Sequence, residues 1–455
     1  MGLGLGLHQY VPLVLYVGLL LSALYALFYK PAFGIIILFP ILPYMSILEK
    51  LQPFPFGRNI INISLVMIAA GWLFHRDKSP EEHPLAVPVA LLMITSCIAF
   101  INGLQFKGFS VAYLVDWKDY MILPLIWFLI VRSIKDENTL KVFTVVLIMG
   151  VVGVTYYYVN SIKWMNLAHF SYKVRDSFQG LFLYLGPNHY GAFFVHVLFV
   201  LTGLLLFLKS KWKKVALACI IGVLIYCIMY SYSRGAYLAL LGGVLAIGII
   251  KERKILLVAV LFLIFWKSLV PISVVERVTM TRDNRGQLEE SAADRVMLWQ
   301  RAWDMFKQSP LIGKGFNTFA YAGYIDTHNY YLKMLAEQGL MGIAAFLYLL
   351  IAAMRLAWKL YKESDDGFFK GIGFGFMLSV FSLMITNFFG DRWSYLSMGS
   401  YFWAFMGIMT RSYMINCAGL EVVEHERGEI IEVRPLLSSR GDERGVGVGV
   451  GEVRG

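Results

Sequence analysis

Charge is scarce in this chain. Asp, Glu, Lys and Arg make up only 16% of its 455 residues, against 58% apolar. A soluble domain has no use for that much apolar surface, because a single core stops growing long before this length. Cysteine is sparse too. Cys97, Cys219, Cys227 and Cys417 have no metal-ligand spacing and mostly lie in or beside apolar runs. They read as packing residues, which argues against a disulfide framework and a zinc site. The first apolar run lacks a basic start and a small-residue cleavage site, so it is kept as structure. The Gly-x-Gly repeats in "GLGLGL" and "GVGVGVGEVRG" lack the strand–turn–helix setting of a nucleotide site and are assigned no chemistry. The net charge of +11 reports first on membrane topology, and no nucleic-acid partner is assigned.

What the chain does have is apolar runs of membrane-spanning length, recurring along most of it. The fold expected is all-α: a polytopic helical membrane protein with about 12–13 transmembrane helices and a large helical periplasmic loop. Thirteen spans fall near 10–28, 32–48, 59–74, 86–103, 119–132, 138–158, 189–208, 214–231, 235–250, 254–270, 338–361, 369–388 and 394–412. The chain divides accordingly. Residues 1–270 hold the first part of the bundle with an outer loop at 159–188. Residues 271–337 form the long loop, 338–412 the last helices and 413–455 a flexible cytoplasmic tail in which "GEIIEVRPLL" could form a brief strand.

Orientation follows from the basic loops. "HRDK" (75–78), "RSIK" (132–135), "KSKWKK" (209–214), "KERK" (251–254) and the stretch from Arg355 to Lys370 fall on one side if the spans alternate. The positive-inside rule makes that side cytoplasmic, and the loops 159–188 and 271–337 then face outward. In "SAADRVMLWQRAWDMFKQSP", Val296, Trp299, Trp303 and Phe306 recur at helical spacing, and Ser291 with Asp294 resembles a capping box. An amphipathic helix is expected there, lying over a cavity or at the membrane interface with Trp299 and Trp303 turned inward.

Several outward-facing groups carry candidate chemistry. Arg234, in "YSYSRGAYLALLGG", stands between two apolar runs on the side where no cation is called for. It reads either as a snorkelling contact to lipid phosphates or as an anion clamp. Arg295 shares a helical face with Trp299, whereas Arg301 is rotated toward water or headgroups. His328, in "DTHNYYLKMLAEQGLMG", stands just before a span and is a natural proton acceptor near neutral pH. Asp326 is either a rival base or the group that orients His328. Asn329 and His189, the latter in "LGPNHYGAFF", are further polar candidates. Gly339 and Gly342 are expected to give the following helix a small face for close packing.

Arg234 followed by Leu238 in "RGAYL", and His328-Asn329 followed by Gly339 and Gly342, together resemble the signature of the O-antigen ligase and O-antigen polymerase superfamily of bacterial membrane glycosyltransferases. "DRVMLWQRAWDMFKQSPLIGKGFNTF" is similar to the stretch that family carries in its large periplasmic loop. The resemblance implies a multi-pass protein of the bacterial inner membrane, working at its outer face without a metal or other cofactor. It implies an undecaprenyl-pyrophosphate-linked glycan as donor, with lipid A-core, another glycan or a protein as acceptor, and membrane lipids as surroundings. It further implies that Arg234 and Arg295 hold the pyrophosphate and His328 is the base, with Asn329, Asp326, Arg301 and His189 near the substrates. A reading of another class is a transporter or channel for a small anionic solute, which would favour internal repeats and charges deep in the spans. No repeat is visible.

Overall fold

The computed structural model describes residues 10–75, 83–176, 180–183, 185–280, 290–324 and 326–416. The described chain is helical, and its one extended pairing is an isolated bridge between Gly180 and Leu183. The bundle opens with α1 (Val11–Phe28), α2 (Pro31–Leu38), α3 (Met45–Leu48), α4 (Ile60–Phe74) and α5 (Ala86–Lys107). It continues through α6 (Val111–Ser133), α7 (Glu137–Ile162), the short α8 (Tyr172–Asp176), α9 (Pro187–Phe207), α10 (Lys211–Tyr230) and α11 (Arg234–Ile250). Then come α12 (Lys254–Leu269), α13 (Ile272–Thr279), α14 (Glu290–Gln308) and α15 (Thr318–Tyr321). The chain closes with α16 (Tyr330–Glu363), α17 (Gly367–Thr386) and α18 (Leu396–Asn416).

Among the described residues, eight helices are long and apolar enough to cross a membrane, or up to ten if each of two bent pairs is one span. The protein is therefore an all-helical polytopic membrane protein. The bent pairs are Pro31–Ile41 with Met45–Leu51, at 104°, and Lys254–Leu269 with Ile272–Thr279, at 108°. Each expected span falls on helical residues, but 32–48 is a pair of helices bent apart, the qualifying spans number fewer than the 12–13 expected, and others differ from the plain rods the hydropathy predicts. The short segment at 119–132 belongs to a helix starting at Val111, whose first turns carry Asp116, Lys118 and Asp119. The helix expected to begin near 338 begins at Tyr330. Cys417, "GEIIEVRPLL" and the rest of the tail lie outside the described residues, as do Arg76–Lys78 of "HRDK" and the side chain of Ser291; residues 413–416 complete α18.

The centre of the bundle is the α9–α17 pair, with 78% and 72% of their spans buried; α1 and α10 are peripheral, at 22% each. Glycine makes this central contact possible. A Cβ on Gly203 would lie 2.2 Å from the Gly371 carbonyl oxygen and 2.5 Å from the Gly375 nitrogen, so the two backbones touch. His196 Nδ1 and Ser382 Oγ, 2.8 Å apart, pair across the same interface. One end of the bundle gathers the basic loops, where Lys214, Lys251 and Lys370 lie within electrostatic reach of one another. The opposite end gathers residues 163–176, 231–233, 270–280, 290–324, 326–329 and 387–395.

Candidate active site

The turn before α16 is built by its own short polar side chains. The His328 N–H donates to Asp326 Oδ1 at 3.1 Å, and the Asn329 N–H donates to Thr327 Oγ1 at 3.2 Å. Asn329 Oδ1 then accepts the N–H groups of Tyr331 and Leu332, at 3.0 and 3.3 Å, and caps the helix. The left-handed conformation of His328, with φ 51°, lets the chain pass from one pairing to the next. The result is a fixed histidine whose side chain remains 42% exposed, with Nδ1 3.4 Å from Asp326 Oδ2. Burial acts to raise the Asp326 pKa. The hydrogen bond and charge of His328, with the charges of Lys333 and Arg392, outweigh it and hold the carboxyl well below the usual carboxylate range. Asp326 thus engages the imidazole on its Nδ1 side.

A group of arginines surrounds this end of the molecule. Arg234 opens α11, so the positive end of that helix dipole adds to its charge. Its Nη1 donates to the Met280 carbonyl at 3.0 Å, and the guanidinium lies within electrostatic reach of Arg277, Arg295 and Arg175. Arg277 is buried and holds two segments in place. Its Nε donates to Tyr232 O at 3.3 Å and its Nη1 to Tyr172 Oη at 2.8 Å, while the group lies against the rings of Phe170 and Tyr172. Glu276 joins the same segments by accepting from Phe170 N at 2.7 Å. Arg295, on α14, also lies within electrostatic reach of Arg392, and Arg392 within reach of Asp326. Burial pushes the pKa of Arg392 down, with Asp326, Tyr395 and Asp391 opposing. Arg295 thus links the Arg234 group to the turn that carries His328.

Asp391 and Lys333 form a buried ion pair at 2.9 Å between α16 and the 387–395 turn. Asp391 Oδ1 also accepts the N–H groups of Trp393 and Ser394. His189 stacks edge-on against Tyr395 at 5.3 Å, near Arg392, Asp326 and His328.

The candidates named from the sequence therefore separate. Arg234, Arg295, Asp326, His328 and His189 are joined by one charged network. Asn329 is committed to its capping bonds, and Arg301 lies on the exposed side of α14. Two expectations are corrected. The packed stripe of α14 is Leu298, Ala302 and Met305, set against Phe319 and Ala336; Trp303 is 47% exposed and faces outward with Val296 and Met297, whereas Trp299 is half-buried with its indole nitrogen covered. Gly339 does not serve helix–helix packing. With φ 66° and ψ −161° it breaks α16, and a Cβ there would lie 2.4 Å from the Leu311 carbonyl oxygen. The 310–315 segment fills the break: Leu340 N donates to Pro310 O, Met341 N to Leu311 O, Lys314 N to Ala336 O and Gly315 N to Glu337 O. Sequence reasoning missed Arg175, Arg277, Arg392 and the Lys333–Asp391 pair. The signal that singled out Arg234, a cation on the side where the positive-inside rule asks for none, applies equally to the first three.

Residues 217–347 match the sequence model of the family described as O-antigen ligase. This resemblance places the segment in the O-antigen ligase and polymerase superfamily. No curated protein matches the chain. The family match covers Arg234, Arg277, Arg295, Asp326 and His328. Arg175, His189, Arg392 and Asp391 come from outside it, so the ligase-family segment meets the rest of the bundle at this charged network.

Proposed function

We propose that the protein is a glycosyltransferase of the O-antigen ligase or polymerase type, moving a glycan from an undecaprenyl-pyrophosphate carrier to an acceptor hydroxyl at the outer face of the bacterial inner membrane. The observation that carries this reading is the joining of the Asp326–His328 pair to Arg234 through Arg295 and Arg392, all but Arg392 lying in the ligase-like segment 217–347. In the reaction, the acceptor oxygen attacks the anomeric carbon and its proton passes to His328 Nε2. The bond from that carbon to the pyrophosphate oxygen breaks, and the leaving lipid pyrophosphate takes the electron pair. Arg234, Arg295 and Arg392 stabilise the charge as it develops. Asp326 orients the imidazole and stabilises the imidazolium. Arg277, its donors used on Tyr172 and Tyr232, positions the elements that carry Arg175 and Arg234.

Bent helices also occur in transporters, but a transport site does not require a proton acceptor beside an anion clamp. The test is transfer by purified protein reconstituted with an undecaprenyl-pyrophosphate-linked oligosaccharide and candidate acceptors. His328→Ala is expected to lower transfer by about 10²–10⁴-fold while donor binding is kept. Transfer within a few-fold of wild type by that variant would remove the base role, and flux of a free anion without transfer would favour the transporter.

A further inference from the structure

Beside the arginine network lies a cavity of about 300 Å³ with the opposite character. It opens between the start of α6, residues 182, 183 and 185, the segment 316–320, the first turns of α16 and the start of α18. Three carboxylates line it, Asp116, Asp119 and Glu337, together with the rings of Tyr120, Phe316 and Tyr395. No arginine does so among the described residues, and Lys333, the one lysine, is paired with Asp391. Asp116 accepts from Asn317 Nδ2 and Tyr321 Oη, both through Oδ2, at 3.1 and 2.9 Å. Glu337 Oε1 accepts from Phe319 N at 3.2 Å. Asp119 Oδ1 pairs with the Lys118 ammonium at 2.7 Å; a carboxylate has roughly four acceptor positions, so these bonds use only part of the capacity. Gln338 also lines the cavity; it is 3% exposed, and its side-chain carbonyl has no hydrogen-bond partner among the described residues. A buried polar atom left in this state is costly unless a ligand or water completes it.

From this geometry we infer a second binding site, in which the cavity holds an uncharged saccharide ring of the acceptor, its hydroxyls donating to Asp119, Glu337 and Gln338 and its apolar face resting on the aromatic rings. The volume lies at the lower end of small-molecule pockets, about 300–1,000 Å³, and suits a mono- or disaccharide rather than a whole glycan. Carboxylates accept paired hydroxyls well and repel phosphate or uronate. The assignment to the acceptor rests on the transferase reading: a displacement needs the nucleophile across from the leaving pyrophosphate, and this cavity lies away from the arginines. Saccharide binding as such does not depend on that reading.

The test is saturation-transfer NMR on the full-length protein in nanodiscs, with methyl glucoside, methyl galactoside and N-acetylglucosamine as neutral probes. Methyl glucuronide and glucosamine serve as the anionic and cationic controls. At least one neutral probe is expected to bind, and the glucuronide is not. Asp119→Asn and Glu337→Gln should each weaken binding about tenfold. Ala320→Trp, which fills the cavity from an exposed position, should abolish it. Failure of all neutral probes, equal binding of the glucuronide, preference for glucosamine over its N-acetyl form, or binding that survives Ala320→Trp would overturn the site. His328→Ala should leave binding unchanged, which separates this outcome from failure of the catalytic reading. If that reading holds, Ala320→Trp also raises the acceptor KM and leaves the donor KM unchanged.

Discussion

Two neighbouring regions meet at the first turns of α16 and handle charge in opposite ways. On one side, five arginines arrive from α8, α11, α13, α14 and the 387–395 turn, and Arg234 and Arg392 donate to backbone carbonyls. On the other, the carboxylates stand on α6 and α16, one of them buried against backbone N–H groups. Long side chains from separate elements can gather around an anion whose own charge offsets their mutual repulsion. Short carboxylates cannot reach, so a site made from them has to be shaped by the helices in advance. The contrast predicts an arginine side that tightens when its anion arrives and a carboxylate side that is already formed without a ligand.

The most severe way to break this division is at the ion pair between the two regions. Lys333→Met leaves Asp391 buried without its cation and is expected to destabilise the protein by about 3–5 kcal/mol, read as a lower thermal unfolding midpoint in detergent. Next in size is Arg234→Lys. It keeps the charge but loses the fork, and reconstituted transfer should fall by about 10²-fold with the midpoint little changed. Asn329→Ala removes the cap under His328 and should cost about 1 kcal/mol of stability in the same unfolding measurement, with a smaller loss of transfer. Smallest of all is Arg301→Gln on the exposed side of α14, where transfer should stay within about twofold of wild type. A large loss there would mean that the arginine side extends around the helix.

Arg234, Arg295 and His328 were legible because each is chemically out of place: two cations and a titratable ring on the face where the loop charges ask for neither. Glu337 and Gln338 were not. In "MLAEQGLMG" they read as polar residues entering a span, and only the filling of the Gly339 break by residues 310–315 shows that they are interior. Asp116 and Asp119 were hidden in the same way, since hydropathy starts that helix too late. The register of α14 misled at Trp303, because indoles at helical spacing resemble a buried stripe. Which residues of the helix pack against Phe319 and Ala336 is a tertiary fact that a periodicity does not contain.

The filled break in α16 has a mechanical consequence. The 310–315 segment grips both sides of Gly339 and is itself fastened to α5, where Asn102 Nδ2 donates to Gly313 O at 2.6 Å and Phe316 N to Ala99 O at 2.9 Å. The nine residues from Tyr330 to Gln338 are therefore clamped like a beam at its end, and the histidine turn at their tip cannot swing without tearing that joint. In the proposed transfer, admission of a bulky lipid-borne glycan would then fall to the opposite jaw, the elements carrying Arg175, Arg277 and Arg295, while the floor under the His328 turn stays still.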